Sequence, residues 1–133
     1  MRPKHLNPKS GCPAELTLAV MSGAWKPNML YHLLRGRLRY MELARRIPRA
    51  TQRMLTRQLR ELEEDGLVTR HVFPEVPPRV EYEATPLAQT LSPILNSLWI
   101  WGEKYRVDHQ GLTPSPLPDR LGATYPDLPE GDR

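Results

Sequence analysis

One stretch limits the fold of this chain more than any other: Thr51 to Asp65, which has the pattern of a narrow amphipathic helix. Thr51 is a natural N-cap, Leu55, Leu59 and Leu62 recur at helical spacing with Met54 beside them, and Gly66 ends the run. A seam that narrow needs other elements to cover it. The opposite face carries Gln52, Arg53, Thr56, Arg57 and Arg60, all long or hydrogen-bonding side chains. Upstream, Tyr40 to Arg46 predicts a short helix with Met41, Leu43, Ala44 and Ile47 turned inward, and Pro48 stops it. A short helix, a tight proline-containing turn and a longer helix make a helix-turn-helix.

The charge falls on the same segment. The 133 residues carry 15 Arg but only 4 Lys, and the formal charge is +4. From Arg37 to Arg60 there are eight arginines and one acid, Glu42, so this segment alone holds +7. A solvated helix face usually mixes signs, whereas a dense field of one sign points to a polyanion. Arginine forks also match phosphates and base edges bidentately, which lysine does not.

The flanking elements complete the pattern. Pro13 to Met21 reads as a helix with Leu16, Ala19 and Val20 at helical spacing, broken by Ser22-Gly23. Trp25 to Leu34 reads as a second helix, its apolar stripe being Trp25, Met29, Leu30, Leu33 and Leu34. Arg37 to Arg39 has room only for a small strand. Leu67 to Phe73 and Arg79 to Ala84 alternate with period two, and Pro74 to Pro78 joins them as a stiff connection. Thr85 caps and Pro86 opens a long last helix to about Val107, which Pro93 is expected to kink. The fold class is mainly α with a small β-hairpin: a winged helix-turn-helix domain followed by a long C-terminal dimerisation helix.

Three segments follow: a flexible arm over residues 1–11, the winged domain over 12–107, and a proline-rich tail over 108–133. The tail holds five prolines, five acids and two arginines, too little apolar surface to offset the entropy of ordering it. A single cysteine, Cys12, excludes an internal disulfide framework and a cysteine-based zinc finger. Four scattered histidines, His5, His32, His71 and His109, give no metal-ligand spacing, so neither metal nor cofactor is expected. No nucleophile elbow, phosphate loop or paired carboxylates appear, and the cluster Glu61 to Asp65 reads as a solvated helix end; an enzyme is not expected. Apolar runs reach only four residues, with no secretory signal pattern, so a soluble, cytoplasmic protein is expected.

Several longer motifs carry a family resemblance. Cys12-Pro13, Gly23-Ala24-Trp25-Lys26-Pro27, Arg39-Tyr40-Met41-Glu42-Leu43, Ile47-Pro48 and Met54-Leu55-Thr56 resemble the HxlR-type transcriptional regulators. So do Leu59 through Val68 and Pro74 through Tyr82. The likeness covers residues 12–107. Arg49 stands where glycine is common, Tyr40 where phenylalanine is, and Leu87-Ala88 where leucine-glycine is. The resemblance implies a homodimeric, MarR-like winged-helix repressor whose dimer interface uses the first and last helices. It also implies that an N-terminal-region cysteine such as Cys12 can sense oxidants or electrophiles; a buried packing cysteine is the alternative.

The expected partner is double-stranded DNA, read at inverted half-sites. Gln52, Arg53, Thr56 and Arg57 are the candidates for base edges, since Arg matches guanine and Gln adenine through paired hydrogen bonds. Arg37, Arg39, Arg45, Arg46, Arg49, Thr51 and Arg60 are candidates for phosphates. Arg70, His71 and Arg79 belong to the wing; pairing of Arg79 with Glu75 or Glu81 is the alternative to a groove contact. Trp25, Trp99, Trp101 and Tyr105 either line a small-molecule effector pocket or pack core and dimer. The rival function is a winged-helix protein-interaction module without DNA readout.

Overall fold

A computed structural model describes residues 11–111; the expected arm up to residue 10 and the tail from residue 112 lie outside the described residues. The element order is α1 (Pro13–Met21), α2 (Lys26–Leu34), β1 (Leu38–Arg39), α3 (Tyr40–Arg46), α4 (Gln52–Glu64), β2 (Val68–Phe73), β3 (Arg79–Ala84), α5 (Pro86–Gln89) and α6 (Ser92–Asp108). Among the described residues, those up to Gln89 form one compact unit and those from Thr90 another.

In the first unit the core is built by α2, α3, α4 and the sheet. Met29, Leu30 and Leu33 of α2, Leu43 and Ile47 from α3, and Leu55, Leu59 and Leu62 of α4 are all almost wholly buried. The leucine seam of α4 is thus its inner face. Burying such side chains stabilises a fold by about 1.5–3 kcal/mol each. Met41 was expected inward but is 61% exposed. It lies two residues from Leu43, about 200° around the helix, so it faces out when Leu43 and Ile47 face in.

The expected hairpin is a three-stranded antiparallel sheet of order β1-β3-β2. The two residues of β1 pair with β3, Leu38 opposite Tyr82 and Arg39 opposite Glu81. Strands β2 and β3 pair from Val68 opposite Ala84 to Phe73 opposite Arg79. Alternation then puts Val68, Arg70, Val72, Val80, Tyr82 and Ala84 on one face and Thr69, His71, Phe73, Arg79, Glu81 and Glu83 on the other. Thr85 ties the sheet to its surroundings: its N–H donates to Leu67 O at 3.0 Å and its hydroxyl to Gly66 O at 2.7 Å. That hydroxyl also accepts from Ala88 N at 3.1 Å, capping α5.

The long last helix is two helices. α5 ends at Gln89, a turn covers Thr90 and Leu91, and α6 starts at Ser92. Pro93 lies in the first turn of α6, where its missing N–H costs no helical hydrogen bond, so it starts a helix instead of kinking one. In α6 Ser92, Leu95 and Asn96 are buried, whereas Leu98, Trp101 and Tyr105 are exposed.

Candidate nucleic-acid interface

The helix-turn-helix is held by short, local bonds. Arg39 N donates to Glu42 Oε1 at 2.9 Å, closing the first turn of α3. Ile47 N bonds Ala44 O and Ala50 N bonds Ile47 O, folding the turn around Pro48. Thr51, extended at φ −71° and ψ 155°, accepts from Met54 N at 3.1 Å and caps α4. Tyr40 at the start of α3 reaches Gln52 O at the start of α4, 3.4 Å away. That bond ties the two helix beginnings together.

The outer face of α4 gathers the expected base-reading residues. Gln52, Arg53, Thr56 and Arg57 are exposed, and with Thr51 and Arg60 they line one shallow, open depression. Its first turn contains no acid, and the partial positive charge of the helix N-terminus adds to the arginines. Among the described residues Arg49, Arg53, Arg57, Arg60 and Arg70 take part in no ion pair. Arg45 donates back to Met41 O of its own helix, and Arg45, Arg46 and Arg49 are exposed at the end of α3 and in the turn. Thr56, Arg60, Glu63, Arg70 and Tyr82 surround a second, smaller depression where α4 meets the sheet. Arg70 therefore belongs beside α4.

The other wing candidates are on the opposite face of the sheet and already paired. Arg37 reaches Glu81 at 3.4 Å, Glu83 at 3.3 Å and His71 Nε2 at 3.1 Å. His71 Nε2 also lies 3.0 Å from Glu83 Oε1. Hydrogen bonds from His71 first, and from Arg37 second, hold the Glu83 carboxyl below the usual carboxylate range. Arg79 bridges Glu75 at 3.2 Å and Glu81 at 3.4 Å, and lies over the Phe73 ring at 4.1 Å. Arg39 is 4.0 Å from Glu81. This face is a balanced ionic mesh bracing β1 against the hairpin.

A model of the HxlR-like helix-turn-helix family matches residues 20–110. The chain belongs to that family. It is therefore a DNA-binding transcriptional regulator of the winged-helix kind. Among the relatives of this HxlR-like regulator, the uncharacterized HTH-type transcriptional regulator YdeP of Bacillus subtilis is 50% identical over 96 residues, covering 72% of this chain and 75% of YdeP. The uncharacterized HTH-type regulator YybR of the same organism is 50% identical over 104 residues, covering 77% and 83%. The solved structure of the redox regulator HypR in its reduced form is 46% identical with a TM-score of 0.71, covering 76% of this chain and all of that one.

Three residues of this HxlR-like chain were not expected at any site. Lys26 is fully buried, and its Nζ forms an ion pair with Glu61 Oε1 at 2.8 Å. Gln58, also buried, accepts from Trp25 N at 3.0 Å. Lys26 thus fills the inner position expected of Trp25, which is only half-buried and caps α2. Glu61, expected as part of a solvated helix end, is drawn inward by that ammonium; Glu63 and Glu64 are exposed. A lysine on the α2 stripe and a glutamine on the α4 seam were the signals that could have revealed this cluster.

Cys12 is exposed at the N-cap of α1. Trp99 is half-buried, while Trp101 stacks on Tyr105 at 5.1 Å and Tyr105 on His109 at 4.9 Å along α6. His32 on α2 is held below its ordinary pKa by burial, then by Arg46 and Arg35. Among the described residues no three His, Cys, Asp or Glu side chains gather as metal ligands, and no helix is long and apolar enough to cross a membrane.

Proposed function

We propose that this regulator binds double-stranded DNA sequence-specifically as a homodimer, laying the N-terminal half of α4 in the major groove. The observation that carries this reading is the exposed outer face of α4, where Gln52, Arg53, Thr56 and Arg57 open on one depression without acid partners among the described residues. Gln and Arg offer the paired donors and acceptors that base edges require. Arg45, Arg46, Arg49, Thr51 and Arg60 flank that face and grip phosphates, with Arg70 added at the wing root. Arg37, Arg39, His71 and Arg79 brace the wing, since their charge is already met by Glu75, Glu81 and Glu83.

Dimerisation is supported by apolar surface on both terminal helices. Leu16 and Leu18 of α1 are exposed, as are Leu98, Trp101 and Tyr105 of α6. Exposed apolar side chains that gather into a patch mark association surfaces. Trp101 and Tyr105 then serve packing ahead of an effector pocket. An exposed Cys12, together with the description of HypR as a redox regulator, supports a thiol that makes DNA binding respond to oxidants.

Selection of bound sites from random-sequence duplex, with and without reductant, tests the reading. Inverted half-sites with centres about 34–36 Å apart are expected. Recovery of sequences with no common motif would overturn it. If Cys12→Ser leaves binding as sensitive to diamide as before, the thiol part is wrong.

A further inference from the structure

The inner face of α4 is not purely apolar. Gln58 lies on it beside Leu55, Leu59 and Leu62, Glu61 lies at its edge, and both reach the start of α2. Gly23, in the turn between α1 and α2, has φ +149°, and a Cβ there would lie 3.1 Å from Lys26 Cδ and 3.3 Å from Gln58 Cδ. The turn therefore closes directly on this polar pair. A leucine seam tolerates small slides and rotations, because dispersion is weak per atom and non-directional. The buried Lys26 ammonium facing Glu61 does not, since their attraction changes with separation more sharply at a largely buried site than in water. The Gln58 amide adds a directional bond at the second point, one helical turn away. Two such points fix both the axial position and the roll of α4.

We infer that Lys26, Glu61 and Gln58 are positioning residues for DNA recognition: they set the roll of α4 that aims Arg53 and Arg57, on its outer face, at base edges. Drawing Glu61 inward has a second effect. Arg57 lies four residues before Glu61, the spacing at which side chains on one helix meet. A Glu61 released from Lys26 would have Arg57 within reach and would compete with DNA for it. Lys26 thus keeps the arginine available as well as aimed. Buried ion pairs add little net stability compared with apolar packing, and their best-attested use is in specifying one arrangement.

This inference rests on the DNA-reading function proposed above, and the test separates the two. Lys26→Met/Glu61→Leu replaces the pair with apolar groups and leaves net charge unchanged. Gln58→Met removes the second point. For each, the melting temperature and the ratio of affinities for the selected operator and for random duplex are measured in the full chain. Glu61→Leu alone should melt about 10 °C or more lower, because the wholly buried Lys26 ammonium loses its counter-charge. The double variant should regain most of that loss while the operator-to-random ratio stays about ten-fold or more below wild type, the discrimination of one bidentate base contact. Gln58→Met should lower the ratio in the same sense. If the double variant recovers both melting temperature and ratio, or if it fails to fold and Gln58→Met keeps the wild-type ratio, the residues are packing groups and the inference is overturned. A wild-type ratio near one would overturn the DNA-reading function itself, and this inference with it.

Discussion

Replacing Arg57 by alanine separates the two arginine populations of this molecule. Arg57 is exposed on the outer face of α4, in no ion pair among the described residues, and alanine is a better helix former. Its removal should therefore change folding stability by no more than about 0.5 kcal/mol, as exposed substitutions do. On the cognate operator it removes one bidentate base contact, about 1–3 kcal/mol, or roughly 5- to 150-fold in affinity. On random duplex only a diffuse charge is lost, so the fall should be several times smaller. Arg37→Ala deletes the same charge from the opposite side of the sheet, where Glu81 and Glu83 already hold the guanidinium at 3.4 and 3.3 Å. It should change operator affinity by about two-fold or less, because separations beyond a Debye length are screened. Fluorescence anisotropy on both duplexes at matched salt reads all four numbers. Equal losses for Arg57→Ala on operator and random duplex would make Arg57 a backbone contact. A loss for Arg37→Ala as large as for Arg57→Ala would refute the division between paired and available arginines.

Three other perturbations probe the scaffold. Leu59→Ala empties a wholly buried position on the α4 seam and should cost about 2–5 kcal/mol in urea unfolding; a cost below 1 kcal/mol, roughly that of a surface site, would show the seam is not core. Gly23→Ala forces a side chain onto φ +149° and against Lys26, and should destabilise by about 1–3 kcal/mol, also read by urea unfolding; an unchanged midpoint would contradict the close approach. His32, held below its ordinary 6.5 by burial first and by Arg46 and Arg35 next, binds fewer protons folded than unfolded. Stability should be full above that value and decline as pH falls below it, through the lowered folded pKa, and His32→Gln should flatten the decline in midpoints between about pH 7.5 and 5. Glu83 also has a lowered pKa, from an ordinary 4.5, so its contribution is lost only at lower pH and does not mask this one.

Local signals carried the helix-turn-helix. Thr51 as cap, the Leu55, Leu59 and Leu62 seam, Pro48 and Gly66 each act within one turn of helix, so a sequence displays them. The outer face of α4 followed by subtraction. The break between α5 and α6 was hidden because Leu87, Leu91 and Leu95 keep helical spacing straight across it. Only the position of Pro93 marked it, and proline suits a helix start as well as a kink. The pairing of Arg37, His71 and Arg79 depends on register between β1, β2 and β3, a long-range property that composition cannot reveal. Lys26 and Gln58 were partly legible as lone polar residues on apolar stripes, but their partners were not.

The most direct measurement is a map of backbone amide shifts in the full chain, isotope-labelled, on titration with its selected operator duplex. Perturbations should concentrate from Arg49 to Arg60 and at Arg70, with the outer sheet face around Arg37, Glu81 and Glu83 little changed. A map centred on that ionic mesh, or on α6 alone, would contradict the account.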